Sequence, residues 1–182
     1  MIYSLPTSAV IGSKTYPLHC DFRDMLEIIG YFEDPDLPNF LKWEIALALF
    51  YEGEIPREFY TEAMAYLENF LSYGENTPAG EKLLDWQADA QAIISDINRV
   101  AGQDIRSLPF VHWWTFLSWF HGVGEGQLSS RVAIRSKLRK GEKLEPWEEK
   151  FYRENKAVID LKTRYSREEM EEKQRLEKLL GI

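Results

Sequence analysis

The sequence predicts a mainly α-helical protein, a multi-helix bundle with a short N-terminal β-hairpin and an extended C-terminal helical arm. Apolar residues recur at three- and four-residue spacing through most of the chain, whereas strand-type patterning is confined to its first 20 residues. Apolar content then falls toward the end of the chain. We therefore expect a β-hairpin at residues 1–20, a helical core domain at residues 21–144 and a C-terminal helical arm at residues 145–182.

The predicted hairpin lies at residues 7–20. β-Branched and aromatic residues stand on both sides of Gly12 and Ser13, a pattern typical of two short strands joined by a tight turn. A lone hairpin is only marginally stable in water. It therefore either lies on the helical body or extends the sheet of another subunit.

Three helices are predicted in the first half of the chain. Asp21 is a suitable N-cap for a helix over residues 22–31. A second helix, at about residues 37–51, is apolar on most sides, so we expect it to be well covered. Pro56 opens the third helix, in whose first turn a missing N–H is tolerated.

A fourth helix is predicted from about Glu81 to Val100, after a loop at residues 74–80. Its apolar residues follow one another at steps of three or four, which places them on one face. They are Trp86, Ala90, Ile93, Ile97 and Val100. Asp85, Asp89 and Asp96 form a second stripe beside this face.

The most aromatic element follows, opening at Pro109 and ending near Gly122, and its density of rings is typical of a protein core.

The net charge of the chain changes sign after residue 126. Residues 1–126 contain 7 basic and 19 acidic residues, a net charge of −12, whereas residues 127–182 contain 15 and 11, a net charge of +4. Residues 146–180 are predicted to be mostly helical.

A basic helix is predicted at residues 127–140, with Arg131, Arg135 and Arg139 at four-residue steps. This spacing matches that of the aspartate stripe, and the charge is opposite. We therefore expect the fourth helix and the basic helix to lie side by side with at least one Asp–Arg contact.

Composition and charge exclude several classes of protein. The chain has 182 residues, with 22 basic and 30 acidic ones, and a net charge of −8 argues against nucleic-acid binding. The most apolar stretch is shorter than the ~18 residues that a membrane span needs. Cys20 is the only cysteine, so neither an intramolecular disulfide nor a thiolate zinc site is expected. The N-terminus lacks the pattern of a secretion signal, and we expect a soluble, cytoplasmic protein.

No reactive site is predicted. His112 and His121 are nine residues apart, on opposite faces of one helix, so they do not share a metal, and His112 is expected to be a partly buried, hydrogen-bonded histidine. The aspartate stripe is the best candidate for a carboxylate active site. A salt-bridged or solvated face is the favoured interpretation, because aspartate is a mediocre helix former. We therefore predict no catalytic, cofactor-binding or metal-binding residue.

Three motifs carry a family resemblance. An Asp-Phe-Arg start of the first helix follows the hairpin, an Asp-aromatic-x-x-Asp segment lies in the middle, and a His-Trp-Trp-x-Phe element comes next. The motif residues are Asp21, Phe22 and Arg23, then Asp85, Trp86 and Asp89, then His112, Trp113, Trp114 and Phe116. In this order the motifs resemble the gene-product-fifteen family of bacteriophages and prophages of Gram-positive bacteria.

Members of that family are similar to tail assembly chaperones. The resemblance implies a non-enzymatic protein of the host bacterial cytoplasm that binds the phage tape measure protein and helps the major tail protein to assemble around it. It implies no cofactor, nucleic acid or membrane as partner, and self-association stays open. An alternative is a structural neck or tail-completion component of the virion. A further alternative, an enzyme, would need Asp85, Asp89 and His112 to converge in one cleft.

The C-terminal arm lies beyond the residues that carry the motifs. Met170, Leu176 and Leu179 fall on one side of its last helix, and we expect them to contact the partner or a sister subunit. The alternative is a helix that packs on its own domain.

Overall fold

The computed structural model describes residues 4–74 and 82–180. Within these residues an N-terminal β-hairpin is followed by helices and ends in a C-terminal helix, which confirms the predicted mainly α fold. The described residues form two compact units. Those of Met1–Leu71 and Lys162–Ile182 make unit 1, and those of Ser72–Leu161 make unit 2. The predicted C-terminal arm is thus divided between the two units.

The elements have the following bounds. The strands are β1 (Ser8–Ile11) and β2 (Lys14–Pro17), and the helices of the first half are α1 (Phe22–Phe32), α2 (Asn39–Phe50) and α3 (Tyr60–Leu71), with a 3₁₀ turn at Arg57–Phe59. The later helices are α4 (Ala90–Ala101), α5 (Trp113–His121), α6 (Gln127–Lys140), α7 (Pro146–Glu154), α8 (Lys156–Ile159) and α9 (Arg167–Leu180), with a 3₁₀ turn at Ile105–Ser107.

The hairpin lies on the helices of unit 1, which settles the choice left open by the sequence. β1 and β2 pair antiparallel. Gly12 has a φ of +61°, and a Cβ there would come within 2.7 Å of the Phe59 ring, so the turn requires glycine for two reasons. The Gly12 N–H donates to Oε2 of Glu62 in α3 at 3.0 Å, and the Tyr66 hydroxyl donates to the Ser8 carbonyl at 3.4 Å.

The core of unit 1 forms where the hairpin, α1, α2 and α3 meet. Asp21 caps α1 as predicted, since its side chain accepts a hydrogen bond from the Arg23 N–H at 2.9 Å. The ring of Phe50 lies 4.8 Å from that of Tyr51 and 4.9 Å from that of Phe70. Fully buried side chains around them are Ile11, Met25, Ile28 and Leu67.

One expectation for α2 is wrong. Ala46, Leu47 and Phe50 are buried, but Phe40 is 67% exposed, so the helix is not covered on all sides. The sequence of a helix that is apolar on most sides does not identify which of its faces the fold covers.

The chain returns to unit 1 after residue 161. A guanidinium nitrogen of Arg164 lies 3.4 Å from a carboxylate oxygen of Glu33, at the end of α1. The Arg167 N–H donates to Oδ1 of Asp36 at 2.7 Å, so the first residue of α9 is held at the loop between α1 and α2.

In unit 2, α4 packs against α5 and α6. The predicted start of the fourth helix is wrong. Residues 82–85 have no regular secondary structure, residues 86–89 form a turn, and α4 begins only at Ala90. The predicted loop at residues 74–80 lies, apart from Gly74, outside the described residues. The basic helix has the predicted bounds, Gln127–Lys140. The aromatic helix begins at Trp113 rather than near Pro109, because His112 caps it.

Among the described residues, no helix is both long and apolar enough to cross a membrane. No group of three or more histidine, cysteine, aspartate or glutamate side chains within residues 4–74 and 82–180 is arranged to hold a metal ion.

Candidate functional site

Asp89, a motif residue of unit 2, forms a buried ion pair with Arg135. Nη1 of Arg135 donates to Oδ2 of Asp89 at 2.6 Å, and Nη2 donates to Oδ1 at 2.9 Å, a bidentate arrangement. A third contact comes from Nη1 of Arg131, 3.3 Å from Oδ1. The Asp89 side chain has no exposed surface, and that of Arg135 is 4% exposed. The predicted Asp–Arg contact between the two helices is confirmed.

Arg135 uses all five of its N–H groups. Besides the two bonds to Asp89, Nε donates to the Ile159 carbonyl at 2.7 Å, Nη2 to the Val158 carbonyl at 2.6 Å and Nη1 to the Leu83 carbonyl at 3.0 Å. One guanidinium therefore connects α6 with α8 and with the segment before α4. Such a group can stay charged in the interior because every donor has a partner.

Asp85 explains why α4 starts late. Its Oδ1 accepts from the N–H groups of Gln87 and Ala88, at 3.0 and 2.9 Å, which closes a separate turn. Its own N–H donates to Oδ2 of Asp89 at 3.1 Å. The carboxylates of Asp85 and Asp89 thus stabilise the turn before α4. These two residues lie outside the helix, so they do not form the predicted helical stripe with Asp96.

Asp96 lies in α4 but caps a different helix, α6. Its Oδ2 accepts from the Leu128 N–H at 2.9 Å, so it caps the start of α6 and places a negative charge at that helix N-terminus. The residue at the N-cap position, Gly126, has no side chain with which to do this. A Cβ at Gly126 would lie 2.5 Å from Oδ2 of Asp96. This contact was not predicted from the sequence.

Gly126→Ala is expected to lower the free energy of unfolding by about 1–3 kcal/mol, because the new methyl group must displace the Asp96 cap. Gly124→Ala is the control, since nothing lies within 4 Å of a Cβ at Gly124. Urea denaturation followed by circular dichroism measures both. Equal effects of the two substitutions would contradict the assigned role of Asp96.

His112 caps α5. Its Nδ1 accepts from the Trp114 N–H at 3.1 Å, and the side chain is 3% exposed. An Nδ1 that accepts a hydrogen bond carries no proton in that arrangement. The prediction of a buried, hydrogen-bonded histidine is confirmed.

The aromatic residues of the motifs form the core of unit 2. The rings of Trp113 and Phe116 are stacked with centroids 5.4 Å apart, and Trp113 is 1% exposed. The Trp86 ring lies 6.1 Å from that of Trp113 and 5.2 Å from that of Phe120. Trp114 instead meets Tyr73 edge to face at 5.1 Å.

The Asp-Phe-Arg motif is also structural. Nη1 of Arg23 lies 2.9 and 3.0 Å from the two carboxylate oxygens of Asp21, and the Arg23 guanidinium stands 4.5 Å above the Phe22 ring. Phe22 itself is buried. The motif therefore fixes the start of α1 in unit 1, separately from the motifs of unit 2.

A second ion pair joins α6 to α7. Nζ of Lys137 donates to both carboxylate oxygens of Glu148, at 2.8 and 2.7 Å, and the Glu145 N–H donates to Oε2 of Glu148 at 2.8 Å. The bond from Lys137, and then that from Glu145, lower the pKa of Glu148. The same bond raises the pKa of Lys137.

α9 differs from the rest of the chain in its exposure. Of its apolar side chains, Met170 is 46% and Leu176 is 50% exposed, whereas the side chain of Leu179 lies outside the described residues. Every other side chain described in α9 is exposed as well. The alternative that this helix packs on its own domain is therefore wrong for the described side chains. The expectation that these residues contact a partner stays a prediction.

The fold and the site define the class of protein. It is a mainly helical protein whose motif residues stabilise the fold, as helix caps, as members of ion pairs and as core side chains. Comparison with family models gives the family. The model described as bacteriophage Gp15 protein matches residues 1–166, and the chain belongs to that family. The matched region ends one residue before α9 begins. No curated protein and no solved structure matches the chain.

Proposed function

We propose that this bacteriophage protein is a non-enzymatic, tail assembly chaperone-like protein that acts in the host bacterial cytoplasm. It binds the tape measure protein and helps the major tail protein to assemble around it. Membership of the Gp15 family supports the proposal, because the resemblance carried by the motifs points to this role.

The observation that carries the proposal is that the motif residues are buried and make structural contacts. Asp85, Asp89 and His112 are 5%, 0% and 3% exposed, and their described hydrogen bonds close turns, cap helices or pair with Arg135. The alternative of an enzyme required these three side chains to converge in a cleft with room for a substrate. Their burial supports a scaffold that works through its surface.

α9 supplies the kind of surface that a helical partner needs. A tape measure is a long helical chain whose apolar stripe aggregates when bare, so its helper must present apolar side chains together with charge. On α9, Met170 and Leu176 are about half exposed among charged neighbours. We assign the contact with the tape measure to this helix.

Co-expression with the tape measure protein tests the proposal. The full chain is expected to raise the soluble fraction of the tape measure and to co-purify with it. A chain that stops at Ser166, and the double variant Met170→Ser/Leu176→Ser, are expected to lose both effects. Val10→Ser is the control, because Val10 is another exposed apolar residue, at 61%, and it lies in β1.

Two outcomes would overturn parts of the proposal. If the full chain leaves the tape measure insoluble, the chaperone role fails. If the shortened chain works as well as the full one, only the assignment to α9 fails. Mass spectrometry of purified virions tests the alternative of a structural neck or tail-completion component, since a chaperone should be absent from finished particles.

A further inference from the structure

We infer that a cavity in unit 1, at the turn between α2 and α3, binds the side chain of a lysine or arginine from a partner polypeptide. The inference goes beyond the proposed function, because none of the described residues that line the cavity belongs to α9. A failed test of the cavity therefore leaves the tape measure proposal in place, and the reverse also holds.

The cavity forms where the chain leaves α2. The Tyr51 N–H donates to the Leu47 carbonyl at 3.1 Å, and the Glu52 N–H donates to the Pro17 carbonyl at 2.9 Å. Gly53 follows with a φ of +110°, a conformation that favours glycine. The cavity beside this turn is open to solvent on one side and has a volume of about 350 Å³, near the lower end of the range of about 300–1,000 Å³ for ligand pockets.

The floor of the cavity is apolar and its rim is acidic. Leu47, Tyr51 and Ile55 line it and are buried, at 3%, 1% and 5% exposed. Glu44 and Glu54 also line it, and both are exposed. An occupant therefore meets apolar surface inside the cavity and carboxylates at the opening.

This arrangement suits the side chains of lysine and arginine. Both bury an aliphatic stem against apolar surface while the charged end stays at the solvent. Residues 44–62 contain five acidic residues and one basic residue, a net charge of −4, so the surroundings attract a cation and repel an acidic side chain. A helix is about 10 Å across with its side chains, so a cavity of this volume admits a single side chain and not a helix.

Arg57 shows that a cation can approach the rim from outside. A guanidinium nitrogen of Arg57 lies 3.7 Å from Oε1 of Glu44, and the Arg57 side chain is 87% exposed. An ion pair that is so exposed is weak and easily exchanged. Arg57 therefore competes with an incoming cation for Glu44.

Matched probes test the chemistry of the occupant. Nα-acetyl-lysine N-methylamide and its arginine equivalent carry a stem and a charge, the norleucine equivalent carries the stem alone, and methylammonium chloride carries the charge alone. Proton–nitrogen NMR spectra of the full chain report binding through the amide signals of Gly53, Glu54 and Ile55. We expect the lysine and arginine probes to shift these signals saturably, and the other two to bind about tenfold more weakly or worse.

Charge variants locate the site. Glu44→Gln and Glu54→Gln are each expected to weaken binding of the lysine probe about threefold or more, because each removes a charged acceptor. Arg57→Ala is expected to strengthen binding about twofold or more, because it removes the competing cation. Glu58→Gln is the control. It removes the same charge from the same segment, at an exposed residue outside the lining of the cavity, and should leave the affinity unchanged.

Ala48→Leu tests the cavity itself. Ala48 lines the cavity and is exposed, and leucine is a good helix former, so the larger side chain should fill the space and abolish binding. Ala65→Leu is the control, because Ala65 is an exposed alanine of α3 outside the lining. The same NMR spectra show for every variant whether the fold is kept.

Four results would overturn the inference. The first is a lysine and an arginine probe that bind no better than norleucine or methylammonium. The second is a Glu58→Gln variant as weak as Glu44→Gln, which would reduce the effect to net charge. The third is an Ala48→Leu variant that still binds. The fourth is spermidine, a polycation without a peptide backbone, binding about tenfold more tightly than the lysine probe, which would assign the cavity to a small molecule.

Discussion

Arg135→Ala is expected to lower the free energy of unfolding by about 3–5 kcal/mol, because it leaves the carboxylate of Asp89 in the interior without its bidentate partner. The substitution also removes the hydrogen bonds that Arg135 donates to the carbonyl groups of Leu83, Val158 and Ile159, and their loss is part of this free energy. Urea denaturation followed by tryptophan fluorescence measures it, since five of the six tryptophans lie in residues 72–161.

Arg139→Ala is the matched control. Arg139 lies one turn further along α6 and is exposed, so its loss should change the free energy of unfolding by no more than about 0.5 kcal/mol. A double-mutant cycle with Asp89→Ala sharpens the test. The double variant should lose much less than the sum of the two single variants, because each already breaks the same pair. Additive losses would show that Asp89 and Arg135 do not act together.

Trp113→Ala is expected to be about as severe, with a loss of about 3–5 kcal/mol. The Trp113 ring is 1% exposed and contacts both Phe116 and Trp86, so its removal leaves a cavity that both neighbours line. Chemical denaturation followed by far-ultraviolet circular dichroism measures the loss without relying on the tryptophan signal.

Trp147→Ala provides the control for the tryptophan substitution. Trp147 is 58% exposed at the start of α7, and we expect its replacement to change the free energy of unfolding by no more than about 0.5 kcal/mol. If the two tryptophan variants proved equally stable, the motif would not be the core of unit 2.

The sequence predicted the elements whose signals are local. The glycine turn of the hairpin, the Asp21 cap and the C-terminal end of α6 at Gly141 depend on residues that are neighbours along the chain. The Asp–Arg contact was also predictable, because opposite charges recurred with the same spacing on two helices. The detail of that contact was not predictable, since no pattern shows that Arg135 alone would bond both α8 and the segment before α4.

The start of α4 could not be read from the same signals. Trp86 continues the apolar spacing of the helix, yet it belongs to the core because it meets Trp113 and Phe120. Asp89 ends the preceding turn because its carboxylate is engaged by Arg135, which is 46 residues away. The missed cap of α6 had a weak signal: a glycine at the N-cap position implies that another residue must supply the acceptor.

The division of the chain has a consequence for how the protein is made. Residues 162–180 complete unit 1, but they leave the ribosome only after all of unit 2 has been synthesised. The hairpin and α1–α3 must therefore wait, through the translation of some 90 intervening residues, for Arg164 and Arg167 to reach Glu33 and Asp36. Unit 2 is continuous in sequence and has no such delay, so a prematurely terminated polypeptide would retain it while unit 1 lacked its final segment.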